Sequence, residues 1–528
     1  MPNGRIEVIT GGMFCHRKGQ LILMSDGSCR PIDEIGVGDR VVSDLGSPVR
    51  VLALHRGVGS MAKISPSRGG DPFVVTLDHE LTLVDTPSKQ NGKPCERGGR
   101  VVDVSVRDWL VWSNKRKGIF KLFQVGVPVF ESPGVRDNDL DPYFLGVMLG
   151  DGSFDTRIGL VSMDPEILLE AEAQAERYGL RVAEDAPKGQ ARAIRLVGSR
   201  GKPNPIADRF RALGLYGLTG SDKFIPQKYL SASREDRLEL LAGLLDTDGS
   251  ASSYGAGFDF INKSKHLSDG VAFLARSLGM SATVSVALKK AQTGPKRSYH
   301  RVYIGGEVSQ VPTRLPRKQL SRIVRHRPTV TRFDVTHLRE PEAYFGITVE
   351  GGRYLLGDFT VTHNSGKSEE LVRRLRRAVI AKKSVIVFKH DSDDRFDAAK
   401  IGCHNGLKYD ATPVPSSDDV RLRARGHEVV GIDEIQFFNS GIVEVCEELA
   451  NVGVRVIVAG LDLDSMAVPF GPMPHLMAIA EVVTKLHAVC MVCGEPACRT
   501  QHKAGKTEQV EVGADAYEAR CRKCWTPT

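Results

Sequence analysis

The sequence has no apolar stretch that approaches the roughly 20 residues a helix needs to cross a membrane. Its opening residues, MPNGRIEVITGGMF, also lack the layout of a secretory signal peptide. Cysteine is scarce, with ten residues scattered over 528, which argues against a disulfide framework and favours metal-binding or nucleophilic roles. We therefore expect a cytoplasmic protein that has no membrane partner.

The net charge is also small for a chain of this length. The formal net charge is +8 at pH 7, and 41% of the residues are hydrophobic while 26% are charged. This composition is ordinary for folded domains and excludes wholesale disorder. A chain of 528 residues is too long for one core, so we expect several domains, and the mild positive charge permits a polyanionic partner.

The most informative absence is that of one glycine. The stretch VTHNSGKSEELVRRLRR reads as the second half of a phosphate-binding loop and its helix, yet DFTVTHN before Ser365 has no glycine at the required spacing. The first half lies near the other end, where GRIEVITGGMF predicts a strand over Arg5 to Thr10. Joining Phe14 to Ser365 would complete the Walker A loop, which cradles ATP phosphates. Its residues would be Gly11, Gly12, Met13, Phe14, Ser365, Gly366, Lys367 and Ser368.

Residues with their own chemistry stand at both breaks of this loop. Cys15 opens the intervening segment, and His363, Asn364 and Ser365 close it. The segment begins CHRKGQLILMSDGSCRPIDEIGVGDRVV, contains VVTLDHELTL, and ends AYFGITVEGGRYLLGDFTVTHNS. Along both edges it resembles the inteins, which are self-excising protein inserts. The alternative, a chance pairing of two glycine-containing segments, leaves unexplained why both halves break at complementary points.

The chemistry of the first splice step explains the residues at the front edge. A thiol next to a peptide carbonyl can attack it and convert the amide to a more reactive thioester. Cys15 is placed to do so at the carbonyl of Phe14. The resemblance assigns Thr76 and His79 of the Thr-x-x-His motif to polarising that peptide and handling its protons.

The remaining steps use the residues at the closing edge. Ser365 would take over the acyl group, and the side-chain amide of Asn364 would cyclise onto its own carbonyl to release the insert. His363 would supply a proton to that last cleavage. Where many inteins carry a further histidine in the closing block, this chain has Arg353.

The middle of the insert contains two copies of one pattern, DPYFLGVMLGDGSF and RLELLAGLLDTDGSAS. They resemble the homing endonucleases of the LAGLIDADG type, in which each copy is an apolar helix that ends in an acidic turn. Small residues at Gly146, Ala242 and Gly243 would let two such helices pack closely. That contact would bring Asp151 and Asp248 together to hold Mg²⁺ for cleavage of double-stranded DNA.

Other features of this middle region agree with the endonuclease family. The stretch DKFIPQKYLSASREDR carries Lys223, a candidate accessory base or charge stabiliser. The basic runs KKAQTGPKRSYHR and RLPRKQLSRIVRHR suit phosphate contacts, although each could equally be a solvated loop. An alternative is a degenerate endonuclease that no longer cleaves.

The outer segments, once joined, have the α/β pattern of a parallel sheet with a nucleotide site. The strand-like runs are 384–388, 429–434 and 454–461, and Asp433 follows the second of them as the expected acid that holds Mg²⁺ with ATP. ITGGMF-SGKSEEL, VIVFKHDSDDR, GIDEIQFF and VGADAYEARCRKC together resemble the type II thymidine kinases. The resemblance implies transfer of the ATP γ-phosphate to the 5′-hydroxyl of thymidine by a homotetramer.

That resemblance also assigns residues around the two substrates. Glu434 would take the proton from the hydroxyl, and Arg395 would stabilise charge on the phosphates. The residues implied to contact the nucleoside are Met13, Asp393, Phe437, Phe470, Thr500 and Tyr517. Ser465 replaces an aromatic residue that relatives often have near the base, and His502 replaces a common arginine, so other deoxynucleosides remain possible substrates.

Two C-x-x-C pairs near the C-terminus predict a four-thiolate Zn²⁺ site, because their spacing suits tetrahedral coordination better than a redox pair. The ligands would be Cys490, Cys493, Cys521 and Cys524. In the family the loop that they tie closes over thymine. The rival interpretation is a zinc-containing P-loop ATP-binding module without kinase activity, against which Glu434 beside Asp433 argues.

These interpretations predict a multidomain chain. An α/β P-loop kinase with a C-terminal zinc-bound lasso is interrupted by an all-β Hint-type splicing domain, which itself contains an α+β LAGLIDADG endonuclease domain. The predicted boundaries are 1–14 and 365–528 for the kinase, with zinc at 490–524, 15–140 and 331–364 for the splicing domain, and 141–330 for the endonuclease.

Overall fold

The computed structural model describes most of the chain, and no helix within that part is long and apolar enough to cross a membrane. The described residues are 4–11, 15–77, 79–86, 89–90, 93–94, 99–200, 202–252, 257–290, 296–320, 329–363, 371, 374–375, 378–391, 400–402, 408–464, 468–486, 488–489, 492, 496–497, 499–502 and 517–526. They form three units with separate hydrophobic cores. We call them the α/β unit, the all-β unit and the two-repeat unit.

The α/β unit is built from both ends of the chain around one parallel sheet. Its strands are, in spatial order, Thr412–Val414, Val385–His390, Val429–Asp433, Arg455–Gly460, Arg5–Gly11 and Val482–Leu486. The strands are rich in valine and isoleucine, as expected for a sheet that is covered on both faces. The predicted strands of this unit are present, with ends displaced by one or two residues.

The N-terminal strand Arg5–Gly11 is an inner strand of this sheet. Its backbone pairs in parallel with Arg455–Gly460 on one side and with Val482–Leu486 on the other. The described helical residues Leu371 and Leu375, which follow the insert in the chain, share a core with Ile9 of this strand. The segments on the two sides of the insert therefore pack as one domain.

The remaining elements of the α/β unit surround the sheet. The helices are Ser417–Arg423, Gly441–Asn451 and Met473–Ile479, with a short 3-10 turn at Ile435–Phe437. Three antiparallel strand pairs complete the described part, namely Lys400–Gly402 with Lys408–Asp410, Ala488–Val489 with Pro496–Ala497, and Arg499–His502 with Tyr517–Arg520.

The all-β unit consists of antiparallel sheets. The largest has the strand order Phe333–His337, Met61–Pro66, Phe73–Thr76, His16–Arg17, Glu342–Val349, Pro48–Gly59 and Arg40–Val42. A second contains Val101–Ser105, Glu80–Asp85, Phe120–Phe123 and Val330–Thr331. Smaller pairs are Leu21–Leu23 with Cys29–Pro31, Lys89–Gln90 with Lys93–Pro94, and Arg353–Leu355 with Val361–His363, and the short helices are Ile32–Glu34, Val106–Val111 and Asn114–Lys117.

Both edges of the insert end in the interior of this all-β unit. The chain enters through His16–Arg17, which lies between Phe73–Thr76 and Glu342–Val349 in the large sheet. It leaves through Val361–His363, which pairs with Arg353–Leu355 and packs beside Glu80–Asp85. This arrangement brings residues from the front and closing edges into one buried region.

The two-repeat unit contains two helix-and-sheet halves. Its helices are Pro142–Gly150, Pro165–Arg177, Pro205–Ala212, Gln227–Leu230, Arg234–Asp248 and Lys265–Ser277. One sheet has the order Gly152–Ser153, Gly159–Ser162, Ala191–Val197 and Arg181–Lys188, and the other Gly249–Ala251, Gly257–Asn262, Lys296–Gly305 and Ser281–Lys290. The short 3-10 helices Val308–Gln310 and Pro316–Lys318 follow.

The two sequence copies form the paired helices at the centre of this unit. We call Pro142–Gly150 the first acidic helix and Arg234–Asp248 the second acidic helix. A Cβ atom added to Gly146 would lie 2.4 Å from the carbonyl oxygen of Leu240, and one added to Gly243 would lie 2.2 Å from that of Tyr143. The predicted close packing through small residues is confirmed at these two positions.

Candidate active sites

The first candidate site lies around Cys15 in the all-β unit. The Cys15 backbone N–H donates to the Thr76 hydroxyl at 3.2 Å, and the Thr76 N–H donates to the Cys15 carbonyl at 2.9 Å. His79 lies on the turn that follows Thr76, and its backbone N–H donates to the Thr76 carbonyl. Thr76 thus contacts the Cys15 backbone directly, and His79 lies one turn further along the chain.

The Cys15 site is closed to solvent, and this controls the protonation of its groups. Burial raises the pKa of the Cys15 thiol, so the sulfur keeps its proton at neutral pH. Burial also lowers the pKa of His16 to about 3 and that of His79 well below its ordinary value, with nearby histidines adding to the second shift. The site therefore contains a neutral thiol and two neutral imidazoles.

His363 lies on the closing strand beside an acidic side chain. Its Nδ1 atom is 3.6 Å from a carboxylate oxygen of Glu80, and the ring is buried. This contact places the imidazole of His363 beside a carboxylate. Asn364 and Ser365, which follow it, lie outside the described residues, as does Phe14 at the front edge.

Arg353, found where inteins often have a histidine, faces His363 directly in the strand pair. Its guanidinium bonds to Asp103 and lies 3.4 Å from Asp44. Burial would raise the pKa of Asp103, but the charges of His363 and Arg353 lower it. Arg353 thus neutralises the acidic side of this site rather than contributing an imidazole.

The second candidate site lies where the two acidic helices end, in the two-repeat unit. The pKa of Asp151 rises to about 6, because the surrounding protein partly desolvates the carboxyl group and the charge of Asp248 repels a second negative charge. Burial also raises the pKa of Asp248, whose carboxylate accepts a 2.6 Å hydrogen bond from Asn262. A divalent cation between the two carboxylates would relieve this repulsion, so the groups at the two helix ends fit the expected metal.

Lys223 lies beside these aspartates and is almost buried. Its ammonium group donates to the carbonyls at the end of the first acidic helix, at 3.1 Å from Met148, 2.9 Å from Leu149 and 2.8 Å from Gly152. Burial lowers the pKa of this ammonium to about 8. Because its protons are engaged by carbonyls, the geometry favours the charge-stabilising role over that of a base.

A second lysine at the matching position was not singled out by the sequence reasoning. Lys318 donates to the carbonyls of Leu245, Asp246 and Thr247 at 2.9, 2.6 and 3.1 Å, at the end of the second acidic helix. It lies inside the basic run RLPRKQLSRIVRHR. The only signal was the repeat itself, since a lysine at one helix end implies a counterpart at the other.

In the described part of that basic run, several of the charged side chains have partners within the protein. Arg314 pairs with Glu170, Arg317 pairs with Asp164, and Lys318 is buried. In the other run, Arg301 pairs with Asp259 at 2.6 Å. These acidic partners are far away in the sequence, and the three arginines remain partly exposed, so the phosphate contacts stay a prediction. Residues 321–328 and 291–295 lie outside the described ranges.

The third candidate site lies at the end of the inner strand Val429–Asp433 in the α/β unit. Asp433 is buried there, and Glu434 adopts a left-handed conformation with φ of 49°. The Glu434 N–H donates to the Asp433 carboxylate at 3.0 Å, and Gln436 donates to the Glu434 carboxylate at 2.5 Å. A non-glycine residue held in this strained region is typical of functional sites.

Two of the predicted nucleoside contacts lie together next to this turn. The rings of Phe437 and Phe470 meet edge to face with centroids 5.7 Å apart. Thr500 and Tyr517 lie on the paired strands Arg499–His502 and Tyr517–Arg520, and their side chains are not described. Met13, Asp393, Arg395 and Ser465 also lie outside the described residues, as do Gly12, Gly366, Lys367 and Ser368 of the loop.

The zinc prediction can be compared with the structure for one pair only. Cys521 is buried and Cys524 is partly exposed, and the Cys524 N–H donates to the Cys521 carbonyl at 3.2 Å in a tight turn. This turn fits one half of a four-thiolate site. Cys490 and Cys493 lie outside the described residues, and the described ones contain no group of three or more candidate metal ligands.

Three family models match successive parts of this chain. The model described as Hom_end-associated Hint matches residues 15–140, that of a LAGLIDADG-like domain matches 235–310, and that of Thymidine kinase matches 359–525. A solved structure of I-DmoI in complex with DNA and Mn is 12% identical to this chain. The match covers 31% of this chain and 88% of the chain in that structure. Its TM-score is only 0.22.

Curated relatives agree with the kinase match. The chain is 51% identical over 164 residues to a thymidine kinase of Rhodothermus sp. (strain ITI 518), which covers 31% of this chain and 77% of the relative. It is 51% identical over 165 residues to a thymidine kinase of Bdellovibrio bacteriovorus, covering 31% and 81%. The expected combination of three domain families is thereby confirmed, and the chain belongs to the thymidine kinase family, with a Hint splicing domain and a LAGLIDADG endonuclease domain inserted into it.

Proposed function

We propose that the chain excises residues 15–364 and joins Phe14 to Ser365, and that the joined product phosphorylates thymidine with ATP and Mg²⁺. One observation carries the proposal. The strand Arg5–Gly11 is an inner strand of the kinase sheet, while the chain that follows it forms two other units before returning to the same domain. Only removal of that insert lets Gly11 continue directly into the helix that contains Leu371 as one P-loop.

In the first step, the Cys15 thiol adds to the Phe14 carbonyl carbon and the bond from that carbon to the Cys15 nitrogen breaks. The sulfur loses its proton and the departing nitrogen gains one, so the step is an isomerisation. Because burial keeps the thiol protonated, a neighbouring group must transfer the proton. His79 is the buried imidazole on the turn that also positions Thr76 against the Cys15 N–H.

The later steps release the insert. The Ser365 hydroxyl displaces the Cys15 thiolate and forms an ester, and the Asn364 side-chain nitrogen then attacks the Asn364 carbonyl. The bond to the Ser365 nitrogen breaks, and His363 gives that nitrogen a proton. The freed amine finally takes the acyl group from its own side-chain oxygen, which restores an ordinary peptide bond.

In the spliced kinase, Lys367 would hold the phosphates and Ser368 would hold Mg²⁺, with Asp433 as the acidic contact to the ion. Mg²⁺ would neutralise charge on the phosphates. Glu434 would accept the proton of the thymidine 5′-hydroxyl, and Arg395 would stabilise the transferring group. The strained backbone of Glu434 and the hydrogen bond from Gln436 hold the Glu434 carboxylate in place.

Three further assignments belong to this proposal. Asp151 and Asp248 would hold Mg²⁺ for cleavage of double-stranded DNA by the excised insert, for which a non-cleaving domain is the alternative. The four cysteines at 490, 493, 521 and 524 would bind Zn²⁺ and tie the base of the nucleoside loop. By resemblance, the spliced kinase would form a homotetramer.

The test is the intact mass of the purified products after expression of the whole gene. We expect two species, residues 1–14 joined to 365–528 and the free segment 15–364, and thymidine phosphorylation by the shorter kinase product. The double variant Cys15→Ala, Asn364→Ala should stay at 57.7 kDa and lack kinase activity. A single 57.7 kDa species from the unchanged gene would refute splicing. An inactive spliced product would instead favour the ATP-binding module.

A Glu434→Gln variant of the spliced kinase separates the kinase assignment from simple nucleotide binding. Loss of a general base costs about 10²- to 10⁴-fold in rate. We expect kcat to fall by at least about 100-fold while ATP binding, followed by calorimetry, is retained. A variant with unchanged kcat would exclude Glu434 as the base.

A further inference from the structure

The Thr362 hydroxyl lies between two buried histidines at the centre of the splicing site. Its oxygen is 2.9 Å from Nε2 of His79 and 3.2 Å from Nε2 of His16. The two rings are edge to face with centroids 4.6 Å apart. Thr362 itself is 2% exposed, and the other nitrogen of each ring, Nδ1, is buried without a hydrogen-bond partner among the described residues.

The number of protons limits how this group can be arranged. A threonine hydroxyl has one hydrogen to donate and can accept from more than one donor. A neutral imidazole carries its single proton on either Nδ1 or Nε2. If Thr362 donates to the Nε2 lone pair of one ring, it can accept only from an Nε2–H of the other. The two histidines then hold opposite tautomers.

Because both rings are buried and neutral, the two histidines can differ only in which nitrogen carries the proton. Both are neutral at physiological pH, because burial lowers their pKa values. The hydroxyl has no other hydrogen-bond partner among the described residues, and a buried donor left unpaired would cost about 1–3 kcal/mol. Donation to one of the two rings removes that cost.

We propose that Thr362 is a positioning residue that sets opposite tautomers on His16 and His79 and so couples the position of the His79 proton, used in the first splice step, to the tautomer of His16. The proposal rests on the function of Cys15 and His79 proposed above. It also gives the closing strand a role at the front edge, because Thr362 lies next to His363 on Val361–His363.

This link has a consequence for the order of events. The hydroxyl reaches both rings only when the closing strand is paired with Arg353–Leu355. The tautomer of His79 is therefore coupled to that of His16 only after the closing strand has folded into place. Thr362 would thus prevent early cleavage at Cys15 in a chain whose second edge is not yet assembled.

The kinetic test uses the full chain with Asn364→Ala and Ser365→Ala, which block both later steps, so that thiol-induced cleavage before Cys15 reports the first step alone. Adding Thr362→Val should slow this cleavage by roughly tenfold or more, while Thr362→Ser should restore most of the rate. The matched control is Thr360→Val, which removes an equally buried hydroxyl that bonds to Asp358 at 2.9 Å and should leave the rate nearly unchanged.

The spectroscopic test measures the tautomers directly in the same chain with Asn364→Ala and Ser365→Ala. Long-range ¹H–¹⁵N spectra of ¹⁵N-histidine-labelled protein, assigned with His16→Gln and His79→Gln, should show one ring protonated at Nε2 and the other at Nδ1. Identical tautomers on both rings, or an unchanged cleavage rate in folded Thr362→Val, would overturn the proposal. If this parent chain with Asn364→Ala and Ser365→Ala itself failed to cleave, the proposed splicing function would fail instead, and the tautomers would still decide the role of Thr362.

Discussion

Glu7 shows at the scale of one residue how the two halves of the kinase are held together. It lies on the N-terminal strand with 3% of its side chain exposed, and it contacts three arginines. Arg455 bonds to it at 2.7 and 3.0 Å, and Arg374, from the helix after the insert, bonds to it at 2.9 Å. Burial would raise its pKa, but Arg455, Arg374 and Arg5 together lower it to about 2.

The first prediction is that Glu7→Gln destabilises the spliced kinase by about 3 kcal/mol, because it leaves buried arginines without their counter-charge. The exposed pair Glu428 and Lys383, 2.5 Å apart, supplies the control, since Glu428→Gln should leave stability nearly unchanged. Urea unfolding at pH 7 measures both variants. Equal midpoints for Glu7→Gln and the parent protein would contradict this account.

The same residue predicts the acid response of the kinase. The folded pKa of Glu7, about 2, is below its ordinary value of 4.5, so its ionised form stabilises the folded state. That contribution is complete above pH 4.5 and is lost as the pH falls toward 2. The stability difference between the parent and Glu7→Gln should therefore shrink over this interval. A difference that stayed constant down to pH 2 would show that the charge of Glu7 is not its source.

At the scale of elements, the contact between the two acidic helices positions Asp151 and Asp248. Gly243→Ala would place a Cβ atom 2.2 Å from the Tyr143 carbonyl oxygen, so the helices would have to separate. We predict that the excised insert loses about 1–3 kcal/mol of stability. We also predict that it cleaves DNA more slowly than the parent insert. The control is Gly220→Ala, whose added Cβ meets no atom within 4 Å. Thermal unfolding that is the same for both variants would disprove close packing as the cause.

The same elements show what the sequence could predict. The repeated acidic pattern predicted the helix pair and its small residues, because that contact depends on residue types within each copy. The strands of the kinase sheet followed from buried valine and isoleucine runs. Lys318 had only the repeat as a signal, because its basic run does not show which lysine reaches the helix end. Thr362 had none, since its partners His16 and His79 are distant in the sequence.

At the scale of the whole molecule, one arginine joins the splicing and endonuclease units. Arg237, on the second acidic helix, is fully buried, and its guanidinium donates to the carbonyls of Val127 and Pro128 at 2.8 Å each. Burial lowers its pKa to about 10, so it stays charged at neutral pH. The two units thus share polar contacts that neither could satisfy in this way alone.

We predict that Arg237→Met weakens this junction, since it leaves those buried carbonyls without a donor at about 1–3 kcal/mol for each group. Calorimetry of the excised insert should show a lower transition temperature that divides into two steps. Arg234→Met, three residues earlier on an exposed part of the same helix, should change neither feature. Retention of a single unshifted transition in Arg237→Met would mean that the junction does not depend on this side chain.

The order of folding and splicing follows from the position of Arg5–Gly11. Because this strand pairs on both sides within the kinase sheet of the uncleaved chain, the kinase fold does not wait for splicing, whereas its P-loop does. In the Cys15→Ala, Asn364→Ala precursor, the amide hydrogens of this strand should exchange as slowly as in the spliced kinase. Met61–Pro66 of the splicing unit is the internal reference. Rapid exchange over Arg5–Gly11 in the precursor, but not in the spliced kinase, would show instead that splicing drives assembly of the sheet. Thymidine phosphorylation by the precursor would show that catalysis does not need a joined P-loop.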